Sequence, residues 1–311
     1  MVSRVSPRLV SVVPRRFEDG DFTGVPRFDW ELRRVFPGIV SKNTQSRVRA
    51  WLHWLALRHP DTIVITGSEQ SVLVPRRLRT IVLHHGCAQT HFDRDPDWRG
   101  AEPQRLCQAQ RAMYRRENRW YVALAQWTAE QFSEHYGVPH AELLPSWVEP
   151  IERRAARPSR PVVLGDFRNF NKGRDTVTRL GEALPAFEFR QLKCTYETRK
   201  AAYADADAYL CLSLSEGGSF AVSDAEAANL PLVTTNVGNH REYTEACVIP
   251  WEARDEVDVV RRALERVLGS PRGPSFFASW TFESWQRAWL ELVEKVADTK
   301  HREPLVPEEV A

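Results

Sequence analysis

Short runs of β-branched and other apolar residues alternate along this chain with longer stretches whose apolar positions recur every three or four residues. That is the pattern of a parallel α/β sheet. In the first half it predicts strands over Leu9–Val13, Thr62–Thr66, Thr80–His84, Trp120–Ala125 and Glu142–Leu144. Helices are predicted near Phe28–Val35, Gln45–Arg58, Pro103–Arg116 and Thr128–Tyr136. The polar segment Glu149–Pro161 holds three prolines and has no periodicity, so it reads as a linker. The pattern then restarts, with strands over Val162–Gly165, Phe187–Leu192, Ala208–Leu214, Leu232–Thr235 and Cys247–Ile249, each followed by a helical stretch. In the tail, Phe282, Trp285, Trp289, Leu292 and Val296 keep helical spacing across Phe282–Ala297. The expectation is two Rossmann-like, doubly wound domains, residues 1–150 and 151–311, facing a central cleft. The last helix (about 282–297) is a candidate to pack back on the first domain. Ligands of such sheets bind outside the carboxyl ends of the strands.

Composition narrows the class. With 311 residues, 42% hydrophobic and 27% charged, the chain has the make-up of a soluble globular protein of two domains. No apolar run approaches the roughly 20 residues of a membrane-spanning helix. The first residues lack an apolar signal region, and a cytoplasmic location is expected. Five cysteines, with no Cys-x-x-Cys pair, argue for reduced thiols over a disulfide framework or a zinc site. The net charge of +2 divides unevenly: residues 1–150 carry 21 basic and 16 acidic side chains, the remainder 22 and 25.

The most informative stretch is Tyr203–Gly238. A buried strand over Ala208–Leu214 leads into the tight turn Glu216-Gly217-Gly218-Ser219, and a helix follows. Unpaired backbone N–H groups at a helix start, with the helix dipole, favour a phosphate or a hydroxyl-rich group. Asp224 lies about six residues into that helix, roughly 9 Å from Glu216 along the axis. One carboxylate at each end would suit a sugar on one side of a diphosphate and a ribose on the other.

This segment resembles the C-terminal domain of the retaining GT-B glycosyltransferases of the group 1, GT4-like family. There, two acidic residues flank seven others and precede a small-residue helix. Here the sequence reads Glu216, seven residues, Asp224, then Ala225-Glu226-Ala227-Ala228-Asn229-Leu230-Pro231. The resemblance implies that Glu216 contacts the donor sugar and Asp224 the ribose, with Gly217, Gly218, Ser219 and Phe220 binding the donor between them. Val162–Gly173 is similar to the family's strand followed by arginine and Lys-Gly. Lys172 and Arg168 would then neutralise the leaving diphosphate. Asp166 stands where relatives carry the arginine. The segment around Gly24 resembles the family's glycine loop, and His84-His85-Gly86 its donor-facing histidine, with His85 preferred.

What the resemblance implies is a retaining, metal-independent transfer from a nucleotide-sugar donor to a glycan or lipid-linked acceptor, with no cofactor. Two alternatives stand beside it: sugar transfer to a modified nucleobase in DNA, and an inactive nucleotide-sugar-binding module. The Arg105–Trp120 stretch, with Arg105, Arg111, Arg115, Arg116 and Arg119 beside Tyr114 and Trp120, is a solvated helix face or a contact for an anionic membrane or nucleic acid. The Asp-x-Asp triplets at Asp93–Asp95 and Asp205–Asp207 are read as ordinary acidic loops rather than metal sites.

Overall fold

A computed structural model describes residues 7–13, 24–43, 61–154, 160–243 and 246–306. The first sheet contains β1 (Arg8–Val13), β2 (Val40–Asn43), β3 (Thr62–Gly67), β4 (Arg79–His84), β5 (Arg119–Ala123) and β6 (Glu142–Leu143), in the order β2-β1-β3-β4-β5-β6. The second contains β7 (Val162–Gly165), β8 (Glu188–Gln191), β9 (Ala208–Cys211), β10 (Leu232–Thr235) and β11 (Cys247–Ile249), in the order β11-β10-β9-β7-β8. Every pairing among the described residues is parallel. Strands such as β3 and β5 are buried along their whole length, as sheets covered on both faces require.

The helices are α1 (Gly24–Val35), α2 (Ala88–Arg94), α3 (Ala101–Met113), α4 (Gln126–Tyr136), α5 (Arg174–Ala183), α6 (Arg199–Ala204), α7 (Phe220–Ala227), α8 (Val257–Leu268) and α9 (Phe282–Asp298). Two of these elements have no counterpart in the sequence reading. Strand β2 is a four-residue edge strand whose pairing with β1 is a backbone affair. Helix α2 is short and mostly polar. The expected helix over Gln45–Arg58 and part of the linker lie outside the described residues. The linker's first residues pack on the second domain, where Ile151 is buried and its N–H bonds the carbonyl of Ala227.

Strands expected to reach Ala125 and Leu214 stop at Ala123 and Cys211, although Leu124, Leu212 and Leu214 are buried. Their backbones leave the ladder at the cleft. The Leu214 N–H donates to the carbonyl of Asn171, and the Thr235 hydroxyl takes the carbonyl of Ser213. Leu124 lies against Gly218 across the cleft, while Leu212 belongs to the core of the second sheet. One continuous core joins Phe28, Leu32, Ile81 and Trp120 of the first half to Tyr209, Phe220 and Leu230 of the second. Helix α9 crosses back to the first sheet, where Trp285 and Trp289, fully buried, meet the edge of Phe28.

Candidate functional site

In each sheet the strand order reverses beside the first strand: β1 stands between β2 and β3, and β7 between β8 and β9. Doubly wound sheets bind ligands outside the carboxyl ends at such switch points. A cavity of about 990 Å³ lies there. Gly24, Val25, Pro26 and His85 wall one side, while Asp166, Arg168, Lys172, Glu216 and the turn Gly217–Ala221 wall the other.

The floor is built from two loops held in register. Asn171, after β7, accepts from the N–H groups of Leu214 and Ser215 at 3.2 Å each. Buried Arg254 donates to the carbonyls of Asn171 and Leu212 at 3.0 Å. Gly173 adopts φ +79°, and a Cβ there would lie 2.6 Å from the Leu212 side chain, so only glycine lets the chain turn into α5 so close to β9. These restraints bring Lys172 Nζ onto Glu216 Oε1, where the Ser213 hydroxyl also donates at 2.7 Å. Burial alone would push the Lys172 ammonium down, but Glu216 outweighs it and the pKa is raised, so the lysine stays charged. Arg168 is largely exposed and grips Asp166 at 2.7 and 3.0 Å. Helix α7 begins at Ser219 with no side-chain cap, leaving first-turn amides at the cavity wall.

The turn's glycines have a second task. A Cβ on Gly217 would lie 1.6 Å from the carbonyl oxygen of His85, and one on Gly218 would lie 2.7 Å from Leu124. Both neighbours belong to the first domain, so the turn is also where the two halves touch. Arg94 reaches the carbonyl of Leu214 and the Gln126 N–H donates to Glu242 across the same seam. Gly217→Ala is therefore expected to cost about 1–3 kcal/mol by overpacking and to widen the cleft. Urea unfolding reads the first effect and small-angle scattering the second.

His84 and His85 part ways because successive residues at a strand end point oppositely. His85 lines the cavity, edge-on to Phe28 at 5.3 Å. His84 turns away, stacks on Phe132 at 3.8 Å and lies 3.3 Å from the Tyr114 hydroxyl. Burial pushes His84 down to about 3 and His85 down to about 4, so both rings are neutral at ordinary pH. Below pH 6.5 the unfolded chain takes up these protons and the folded chain does not. Stability from them is whole above 6.5 and is lost as pH falls toward those depressed values. For His84 the slope approaches about 1.4 kcal/mol per pH unit. Unfolding of the protein and of His84→Phe, compared from pH 7 to 4, should differ by that slope; parallel curves would contradict it.

Asp224 does not line the cavity. It is fully buried, and Arg27 of α1 donates to both its oxygens at 2.6 and 2.9 Å. Arg199 of α6 approaches the same carboxylate at 3.7 Å. Arg27 lies over Phe220 at 4.4 Å and within 3.9 Å of Glu31, which accepts from the Tyr196 hydroxyl. Sequence reasoning missed Arg27, Tyr196 and Arg199, since nothing local distinguishes a buried arginine from a surface one. It also missed Arg174, Gln191 and Lys193, which line the cavity. The other expected site residues, Gly24 among them, border it.

In the Arg105–Trp120 stretch Arg105 and Arg111 are exposed and Arg115 and Arg116 half-buried. Tyr114, Arg119 and Trp120 are buried, and Arg119 spends its donors on the carbonyls of Leu78, Glu117 and Val74. In the Asp-x-Asp triplets, Asp95 caps a turn through the Asp97 N–H, Asp205 pairs with Arg154, and Asp207 accepts from the Val162 N–H. Among the described residues no group of three or more His, Cys, Asp or Glu could hold a metal ion, and no helix is long and apolar enough to cross a membrane.

No protein-family model and no curated protein matches the sequence. Solved structures do match in shape. A sucrose-phosphate synthase from Thermosynechococcus elongatus superposes with a TM-score of 0.72 at 10% identity, covering 93% of this chain and 99% of that one. A glycosyltransferase involved in avilamycin A biosynthesis gives 0.61 at 16% identity, covering 96% and 100%. An E. coli structure, described as trehalose-6-phosphate bound with UDP-2-fluoro glucose, gives 0.61 at 11%, covering 95% and 100%. The chain thus has the GT-B fold.

Proposed function

We propose that this chain is a glycosyltransferase that moves a sugar from a nucleotide-sugar donor to an acceptor hydroxyl, with retention at the anomeric carbon. One observation carries the reading: the Lys172–Glu216 pair at the floor of a switch-point cavity, next to the uncapped start of α7. Transfer breaks the bond between the anomeric carbon and a diphosphate oxygen while the acceptor oxygen bonds to that carbon. The acceptor's proton passes to the departing phosphate. Negative charge grows on the diphosphate, where fixed donors act most strongly. Lys172, Arg168 and the first-turn amides of α7 supply them without a metal ion. Glu216 holds Lys172 and faces the sugar hydroxyls, and neutral His85 orients the sugar from the opposite wall. The GT-B neighbours, glycosyltransferases and nucleotide-sugar binders by description, support the same class.

The acceptor is a glycan or lipid-linked glycan. The nucleobase alternative drew on the arginines and aromatics of Arg105–Trp120, of which Tyr114, Arg119 and Trp120 are buried. Thermal-shift titration with UDP-, GDP-, ADP- and dTDP-glucose tests the donor. A donor at a hundred times its Kd stabilises by about 2.7 kcal/mol. Transfer that survives both Glu216→Ala and Lys172→Ala would overturn the site, and binding without turnover on any acceptor would leave only a nucleotide-sugar module.

A further inference from the structure

The carboxylate eight residues beyond Glu216 is occupied by the opposite domain. Both oxygens of Asp224 are taken by Arg27, whose separation in sequence is 197 residues. Arg199 lies 3.7 Å from the same carboxylate, and Phe220 covers the guanidinium of Arg27 at 4.4 Å. Asp224 itself is fully buried, so no face of it is left for a ligand. Arg27 is in turn backed by Glu31, and Glu31 by Arg34 at 3.2 Å and the Tyr196 hydroxyl at 3.1 Å. The cluster ties α1 of the first domain to α6, α7 and the Tyr196 loop of the second.

We infer that Asp224 is an interdomain positioning residue rather than a nucleotide ligand, and that the cavity therefore does not discriminate a ribonucleoside diphosphate from its 2′-deoxy counterpart. The second half of the inference rests on the donor reading above. The carboxylates that do line the cavity, Asp166 and Glu216, are held by Arg168 and Lys172. Neither stands at the α7 position where a ribose diol would lie beyond the diphosphate. A charged acceptor that bonds a 2′-hydroxyl favours the ribonucleotide by about tenfold to a hundredfold. Removing that acceptor from the cavity removes the preference.

The structure also excludes an easy exchange. For Asp224 to turn toward a ribose, Arg27 would have to release both of its oxygens inside a buried cluster, leaving Arg27 with Glu31 at 3.9 Å and Asp224 with Arg199 at 3.7 Å in place of two direct hydrogen bonds. The contact instead holds Gly24–Pro26 and Ser219–Ala221 at the facing walls of the same cavity.

Calorimetric titration of the intact chain with three pairs, UDP and dUDP, GDP and dGDP, ADP and dADP, tests the specificity. For whichever base binds, the two affinities are expected to agree within about threefold. A ribose preference of tenfold or more overturns the inference, and its loss in Asp224→Asn would name the carboxylate responsible. Should no nucleotide of any pair bind, it is the donor reading that fails, and the positioning role is decided by shape. Small-angle scattering of Asp224→Asn is expected to show a larger radius of gyration than the unaltered chain. The double variant Arg27→Met, Asp224→Leu, which fills the same space without charge, is expected to restore compactness and covers the case in which the single variant unfolds. An unchanged profile in Asp224→Asn, or an expanded one in the folded double variant, overturns it.

Discussion

Lys172→Ala is expected to lower the turnover of sugar transfer by about 10²- to 10³-fold, with a much smaller effect on the KM for donor. The asymmetry follows from when the lysine acts. In the resting cavity its charge is matched by Glu216. Only as the diphosphate departs does new negative charge appear for the ammonium to meet, so its contribution falls mainly on the transition state. Lys172→Arg is not expected to rescue the rate. Lys172 meets Glu216 Oε1 as a compact point charge, whereas a guanidinium is planar and wider. Initial rates across donor concentration separate the two parameters. A raised KM with unchanged kcat would mean that Lys172 only holds the donor.

Removing Arg27 acts on the whole molecule. Arg27→Ala leaves Asp224 buried with Arg199 as its remaining cation, 3.7 Å distant. Loss of one partner from a buried pair is destabilising by about 3–5 kcal/mol. The contact with Phe220 goes as well. Burial by itself would lower the Arg27 pKa, yet Asp224 and Glu31 outweigh it, so the guanidinium remains charged throughout. Urea titration measures the loss. Replacing exposed Lys295, which pairs with Glu142, serves as control and should leave the midpoint unchanged. A loss for Arg27→Ala no larger than that control's would show the cluster to be dispensable.

Much of the site was legible before any coordinates. The turn at Glu216–Ser219 was read from residues close in sequence to a strand end, while Lys172 and the preference for His85 over His84 came from the family resemblance; the turn, Lys172 and His85 all border the cavity. Local order decides such positions, because a strand of period two and a turn of fixed length place each side chain within a few residues of its neighbours. Asp224 had the same local credentials, lying on α7 just past the turn. Its fate depended on Arg27, which sits between Pro26 and Phe28 on a helix whose pattern marks only an apolar face. Gly217 and Gly218 illustrate the same limit. A phosphate-gripping turn explains them from the sequence alone, yet the atoms that leave them no room are the carbonyl of His85 and the side chain of Leu124.

The sequence by itself determined the alternation of strands and helices, the two parallel sheets and the loops that end at the cleft, since periodicity and turn chemistry are properties of neighbouring residues. Only the tertiary structure decided which carboxylate faces the cavity and which is sealed. It also ended strands at Ala123 and Cys211 and buried Tyr114, Arg119 and Trp120. Those outcomes turn on desolvation and on pairs far apart in the chain. A charged side chain reads the same in sequence whether water or an opposing helix surrounds it.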